Sequence, residues 1–286
     1  MILLTGITGN IGGATARALL ARGVRFRALV RDTQKAAAWA ERGVELVVGN
    51  LEDAASITRA LAGIDRALLV LPNGEPQEQL ELAFIRTARE AGLPWLLKLS
   101  SPEAVRGTTS PIPLAHLAAE DALKASGMKW TLLRPSFYMQ NFLSNAAIIK
   151  AEGKFYYPFG DKGAAALTDS RDAGFFAAHC LATTGHENKS YDVTSPDKLS
   201  FHEIAAVFSR ELGRQIDYVP QDPAAYKAYL GKFLASRWHL DAVCDIFAEV
   251  AAGYVVEPTN VFKQITGRDP VTLAQFVRDY RAVFTP

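Results

Sequence analysis

The sequence predicts an α/β fold: a Rossmann-like, doubly wound parallel sheet with a small, mostly helical C-terminal lobe. Three observations carry this prediction. Short aliphatic or β-branched runs alternate with alanine-rich segments of helical period up to about residue 135, the rhythm of βαβ units. Gly23, Gly43, Gly63, Gly92 and Gly127 each follow a helical run, where a helix-ending glycine belongs. A glycine-rich turn separates the first apolar run from the first helical segment.

Taken in order, the apolar runs place strands over residues 2–5, 26–30, 45–48, 66–71, 95–99 and 130–133. Helical periodicity covers residues 14–22, 54–61, 80–91 and 117–126. Beyond about residue 136 the alternation loosens. Residues 152–163, with glycines, aromatics and Pro158, read as a loop. A helix is expected over 169–182 and a further strand over 191–194. Another helix over 199–212 opens on Ser200 with Glu203 three residues on, a capping-box pattern.

Composition narrows the function classes. The chain has 286 residues, 31 Lys plus Arg against 30 Asp plus Glu, and a formal charge of +1. That balance argues against a general nucleic-acid binder. The two cysteines, Cys180 and Cys244, make neither a disulfide framework nor a cysteine-only metal site. No histidine spacing matches a metal motif and the hydrolase elbow Gly-x-Ser-x-Gly is absent, so no metal is expected. No apolar stretch reaches the ~18–20 residues that span a bilayer. The N-terminus reads as a buried strand rather than a leader, so the expected location is cytoplasmic.

The first turn runs Thr5-Gly6-Ile7-Thr8-Gly9-Asn10-Ile11-Gly12, a G-x-x-G-x-x-G spacing. Between a strand and a helix, such a turn cradles a dinucleotide pyrophosphate against backbone N–H groups and the positive end of the helix. The expected cradle is Gly6, Thr8, Gly9, Asn10, Ile11 and Gly12. The second strand ends in Arg31 with Lys35 a turn further on, where an NAD-binding fold would place a carboxylate for the ribose. Arginine there pairs with a 2′-phosphate, which points to NADP; the adjacent Asp32, turned inward, would oppose it. Asn50 and Leu51 follow the third strand, where an adenine-edge contact is expected, while Asp53 is expected to cap the next helix.

Together these residues resemble the NmrA-like branch of the atypical short-chain dehydrogenases, which includes NAD(P)H:quinone oxidoreductases and triphenylmethane-dye reductases. The resemblance spans nearly the whole chain. Besides the glycine turn it rests on Val30-Arg31, the run Gly49-Asn50-Leu51-Glu52-Asp53, residues 112–120, residues 133–141, residues 185–191 and residues 265–270. It implies an NADP-binding domain over residues 1–150 with return elements at about 166–196. It also implies a substrate-binding lobe from residues 197–286 and the 151–165 loop.

The superfamily's usual catalytic Tyr and Lys at i and i+4 are missing: none of the nine tyrosines has such a lysine. The helix that should carry them has His116 and Glu120, a His-x-x-x-Glu similar to that of the dye and quinone reductases. Side chains at i and i+4 share a helix face. His116 either gives a proton or is merely oriented by Glu120. Ser100, ending the fifth strand, offers a hydroxyl near the nicotinamide or simply makes a turn. Lys98, odd within a buried strand, either emerges at an edge or pairs with a phosphate. Leu71 and Pro72 follow the fourth strand along the cofactor, and Pro135 and Phe137 follow the sixth.

Tyr138, Asn141 and Phe142 offer an apolar floor suited to a flat substrate, or else ordinary core. Phe155, Tyr156, Tyr157 and Phe159 cover the substrate or fill a subunit interface, and Trp238 reaches the same cleft. The function expected is an NADPH-dependent reductase delivering hydride to a quinone, dye, enone or imine. The alternative is a non-catalytic, NADP(H)-sensing regulatory protein. The expected partner is a small molecule, with no nucleic acid or membrane, and the chain a monomer or homodimer.

Overall fold

The computed structural model of the chain describes residues 1–254 and 256–286. The first elements are β1 (Ile2–Leu4), α1 (Asn10–Ala21), β2 (Phe26–Val30), α2 (Ala37–Ala40), β3 (Glu45–Val48), α3 (Ala54–Leu61), β4 (Arg66–Leu69), α4 (Gln77–Glu90), β5 (Trp95–Leu99), α5 (Pro111–Ala125) and β6 (Lys129–Pro135). Then come β7 (Phe137–Tyr138), a 3₁₀ helix (Met139–Asn145), α6 (Ala146–Glu152), β8 (Lys154–Tyr157), β9 (Ala164–Thr168), α7 (Ser170–Ala182) and β10 (Lys189–Val193). The chain closes through β11 (Lys198–Ser200), α8 (Phe201–Leu212), β12 (Asp217–Pro220) and helices that include α9 (Pro223–Leu230) and α10 (Arg237–Ala251).

The chain divides into two compact units. The first comprises Met1–Thr108, Pro113–Arg134 and Ser170–Asp192; the second comprises Thr109–Ile112, Pro135–Asp169 and Val193–Pro286.

The first unit is built on a seven-stranded sheet in the order β10-β6-β5-β4-β1-β2-β3. Pairing is parallel from β3 through β2, β1, β4 and β5 to β6. From β1 the chain steps to β2 and β3 on one side, then returns to β4, β5 and β6 on the other. The strand order therefore reverses between β1 and β4, and ligands of open α/β sheets bind beyond the carboxyl ends at that reversal. Strands buried on both faces read as continuous apolar runs, and β1, with Leu3 and Leu4 wholly buried, is such a run. The five predicted helix-ending glycines all have φ between +67° and +83°, the left-handed conformation that stops a helix without a Cβ clash. Helices α1 and α7 meet through Gly174, where a Cβ would overlap that of Ala14.

The second unit holds a β11-β9-β7 sheet and a parallel β8–β12 pair. The expected loop at 152–163 is corrected here, because β8 runs through it. Its Phe155 and Tyr157 alternate with half-exposed residues and are buried, the period of two that a strand imposes. With Phe159, Phe142, Phe201 and Phe208 they form an aromatic core. Phe155, Tyr157 and Phe159 are thus neither a cover for substrate nor an exposed interface. Helix α8 begins with the expected capping box, in which the Ser200 hydroxyl accepts from the Glu203 N–H and the Glu203 carboxylate accepts from the Ser200 N–H.

Candidate active site

The glycine turn lies in the first unit, at the carboxyl end of β1. Thr5 ties it to β4, its hydroxyl accepting from the Val70 N–H at 2.8 Å. Gly6 has φ +66°, and a Cβ there would stand 2.9 Å from the Val70 carbonyl oxygen. At Gly12 a Cβ would overlap the Gly6 carbonyl oxygen. These two glycines are demanded by the turn itself. Gly9 is different. Its backbone is extended (φ −91°, ψ 177°), and a Cβ would meet only the Gly6 oxygen, at an ordinary 3.4 Å.

Thr8, Gly9 and Asn10 are exposed, while Ile11 packs inward. Helix α1 starts on Gly9 with no side-chain capping bond and no acidic residue in its first turn. Its positive end is therefore open to an anion, as a pyrophosphate requires.

At the end of β2, Arg31 and Lys35 are exposed. The Asp32 carboxylate is engaged locally, accepting from the N–H groups of Gln34 (2.8 Å) and Lys35 (3.3 Å). Asn50 and Leu51 are half-buried, and the Asn50 amide is bonded to Glu52 in a tight turn. Asp53 caps α3 as expected, accepting from the N–H groups of Ala55 and Ser56. Leu71 is half-buried and Pro72 exposed beyond β4.

Two adjoining polar networks stand at the ends of β5 and β6. In the first, Lys98 is completely buried, against the expectation of an edge or phosphate partner. Its Nζ donates to the Leu99 carbonyl at 2.9 Å, forms an ion pair with Glu81 Oε2 on α4 at 3.0 Å and lies 2.8 Å from His116 Nδ1 on α5. Gln77, one turn before Glu81, places its amide nitrogen 3.3 Å from both imidazole nitrogens. Burial pulls the Lys98 ammonium below its ordinary range, with Glu81 opposing; burial pushes the Glu81 carboxyl up, with Lys98 opposing. The His116 imidazole is driven well below its usual value by burial and by the Lys98 charge, so it is neutral at pH 7.

In the second network Glu120 accepts from the Ser100 hydroxyl (2.7 Å), Arg134 Nε (2.8 Å), Arg134 Nη2 and Lys124 Nζ (3.1 Å). Burial pushes this carboxyl up, but its bonds to Arg134, Ser100 and Lys124 and the Arg134 charge outweigh that and hold it below its ordinary value. This corrects the expected pairing. The hydrogen bonds of Glu120 go to Ser100, Arg134 and Lys124, those of His116 to Lys98 and Gln77. Ser100 is buried with its proton directed to Glu120, which leaves its lone pairs as what it can offer.

Sequence reasoning missed Glu81 and Gln77. A usable signal existed: α4 places Gln77 and Glu81 on the same face as the buried Phe84, Ile85 and Ala88. A carboxylate on a core-facing stripe and a lysine within a central strand each require a buried partner.

The family's sequence model, described as the NmrA-like family, matches residues 1–272. The chain belongs to the NmrA-like family. This NmrA-like protein is 33% identical to the NAD(P)H azoreductase of Xenophilus azovorans over 99% of each chain. It is 34% identical to the (4-alkanoyl-5-oxo-2,5-dihydrofuran-3-yl)methyl phosphate reductase of Streptomyces griseus over the full length of both. Among solved structures, the NADPH complex of an NADPH-dependent quinone oxidoreductase from Escherichia coli superposes with a TM-score of 0.89 at 26% identity. That match covers 98% of this chain and 100% of the other.

The remaining predicted residues of this NmrA-like protein lie in the second unit. Pro135 is buried, and Phe137 packs its ring on Phe142, Tyr157, Phe159 and Phe201 with centroids 5.7–6.3 Å apart. Phe142 has no exposed surface and is core. Tyr138 is half-buried in β7, Asn141 is exposed, and Trp238 is half-buried in the first turn of α10. Cys180 is buried, and its thiol is pushed up to about 12 by burial, unsuited to nucleophilic work.

Arg31→Ala is expected to weaken NADPH binding by about 1.5–3 kcal/mol, the scale of a charge-assisted hydrogen bond, and to leave NADH nearly unaffected. Calorimetry with both cofactors checks this. Equal losses would remove Arg31 from the 2′-phosphate.

Proposed function

We propose that this NmrA-like protein is an NADPH-dependent reductase that passes hydride to a flat conjugated acceptor such as a quinone, a dye, an azo compound, an enone or an imine. The observation that carries the reading is the exposed, uncapped glycine turn at the β1–β4 reversal with Arg31 at the end of β2. The turn fits a pyrophosphate because Gly9 is bare where the chain's own packing would admit a side chain. Whole-length similarity to named oxidoreductases supports it.

NADPH, when bound, supplies the hydride and its electron pair. The chain's own groups do the rest. Gly6, Thr8, Gly9, Asn10, Ile11 and Gly12 hold the pyrophosphate, and Arg31 with Lys35 holds the 2′-phosphate. Asn50, Leu51, Leu71, Pro72 and Ser100 border the remainder of the cofactor. His116 is neutral and assists the acceptor by orientation or with a proton, beside Ser100 and Glu120. We assign cofactor binding to the first unit and acceptor selection to the second, through Tyr138, Asn141 and Trp238. Phe142 backs this surface from the core.

The near-balanced charge supports a small-molecule partner rather than nucleic acid. Among the described residues no helix is long and apolar enough to cross a membrane. The reading places the protein in the cytoplasm as a monomer or homodimer.

The test is NADPH oxidation with a panel of quinones, azo compounds and cationic dyes. Turnover of at least one acceptor is expected. Tight NADP(H) binding with no turnover on any of them would overturn the reading in favour of a non-catalytic NADP(H) sensor.

A further inference from the structure

Lys98 lies in β5, with strands on both sides, and is wholly shielded from bulk solvent. Burying an ion pair such as Lys98–Glu81 commonly stabilises a fold no better than apolar residues of the same volume. The arrangement around Lys98 has a specific chemical content. An ammonium has three N–H donors and no acceptor, and here three acceptors surround it: Glu81, the Leu99 carbonyl and His116 Nδ1. With Lys98 charged, His116 Nδ1 accepts and the imidazole proton is on Nε2, and the Gln77 side-chain amide then turns its oxygen, which otherwise has no partner, toward Nε2.

A neutral imidazole alone is a very weak acid. It becomes a competent one when Nδ1 gains a proton as Nε2 loses one. We infer that Lys98, held by Glu81, feeds a proton through His116 to the acceptor as the hydride arrives, replacing the absent Tyr/Lys pair. The inference rests on the reductase reading above.

The step balances. The acceptor takes hydride with its electron pair from NADPH, which becomes NADP⁺. The His116 Nε2–H bond breaks and its proton joins the acceptor oxygen or nitrogen that gains charge. One Lys98 N–H bond breaks and its proton joins Nδ1. The imidazole ends neutral in the other tautomer and Lys98 ends as an amine. Water then protonates Nε2, and Nδ1 returns its proton to Lys98. Lys98 is a positioning residue in this scheme; His116 is the group that touches the acceptor.

The charged and titratable groups facing Lys98 are Glu81 on α4, His116 and Glu120 on α5, and Arg134 on β6. Burial, the largest influence, and Arg134 oppose its charged form and the two carboxylates favour it, so the ammonium loses its proton below the ordinary lysine range. An acid must be protonated to act. The activity is therefore present at low pH and falls as pH rises through the Lys98 value.

The experiment uses the double variant Lys98→Met/Glu81→Gln, which removes both charges at similar volume and leaves neither ion unpaired. Two acceptors are compared: a quinone, whose product needs a proton, and a cationic triphenylmethane dye, whose product needs none. For the quinone, kcat/KM is expected to fall by about 10²–10⁴-fold, the usual contribution of a general acid, and its alkaline limb to vanish. For the dye the loss should be far smaller.

Equal loss for both acceptors, or parent-like rates and pH profile for both, would overturn the relay and leave the reductase reading intact. Absence of turnover by the parent with every acceptor overturns both. A measurement on the parent needs no variant of the pair. Nitrogen-15 spectra of the histidine side chains, with the His116 signals identified by their loss in His116→Ala, must show the Nε2–H tautomer. An Nδ1–H tautomer would overturn the relay even if the double variant fails to fold.

Discussion

Gly9→Val is expected to abolish NADP(H) binding while the protein stays folded. The two halves of this expectation have separate physical grounds. The Gly9 backbone is extended, a conformation any residue adopts, and a Cβ would touch only the Gly6 carbonyl oxygen at 3.4 Å. Valine is a poor residue at a helix N-cap, at a cost of about 1 kcal/mol. That is small against the ~5–15 kcal/mol that stabilises a typical domain. The added methyls, however, stand at the exposed, uncapped start of α1, where the pyrophosphate must approach the backbone. Calorimetric titration with NADPH, alongside circular dichroism and thermal melting, separates affinity from folding. Gly12→Val is the contrast. A Cβ there overlaps the Gly6 carbonyl oxygen, so this change should destabilise the protein itself. A Gly9→Val protein that binds NADPH as the parent does would end the phosphate-cradle assignment.

His116→Ala should cost about 10²–10⁴-fold in kcat/KM for an acceptor protonated at oxygen or nitrogen as the hydride arrives. For a cationic dye, whose reduced product needs no proton, the same change should cost far less. The difference between acceptors is the diagnostic quantity, because a general loss of alignment lowers both equally. Such an equal loss would make His116 a purely orienting residue. No loss for either would remove it from the chemistry and leave Ser100 and Tyr138. Of these, Ser100 is poorly placed to donate, since its proton is directed to Glu120 at 2.7 Å.

The parts of the site that were legible in the sequence are those made by neighbours along the chain. The glycine turn, Arg31, the Asp53 cap and the Ser200–Glu203 capping box each depend on a few consecutive residues, and each is found where its motif lies. The parts that were not legible involve distant partners. Residues Phe155 and Tyr157 alternate as a strand should, yet with Pro158 and flanking glycines they read as a loop. Their partner strand, Asp217–Pro220, lies some sixty residues further on. His116 and Glu120 do share a helix, as i and i+4 spacing predicts. Each is nevertheless claimed by a different network, because Lys98 in β5 and Ser100 just beyond its end face them separately.

By itself, then, the sequence determined the α/β class, the helix-ending glycines, the place of the glycine-rich turn and of the basic residue at the end of β2, and membership of the NmrA-like family. Hydrophobic period, turn chemistry and capping act over a few residues, so they are written locally. Only the tertiary structure decided that Lys98 is buried against Glu81, that His116 is hydrogen-bonded to Lys98 rather than to Glu120, and that Phe142 and Tyr157 belong to a packed core. A buried charge must find an opposite charge and an aromatic ring must find a filled contact, but no local rule says which distant residue supplies either. That choice is made when parallel strands pair and helices close over the sheet.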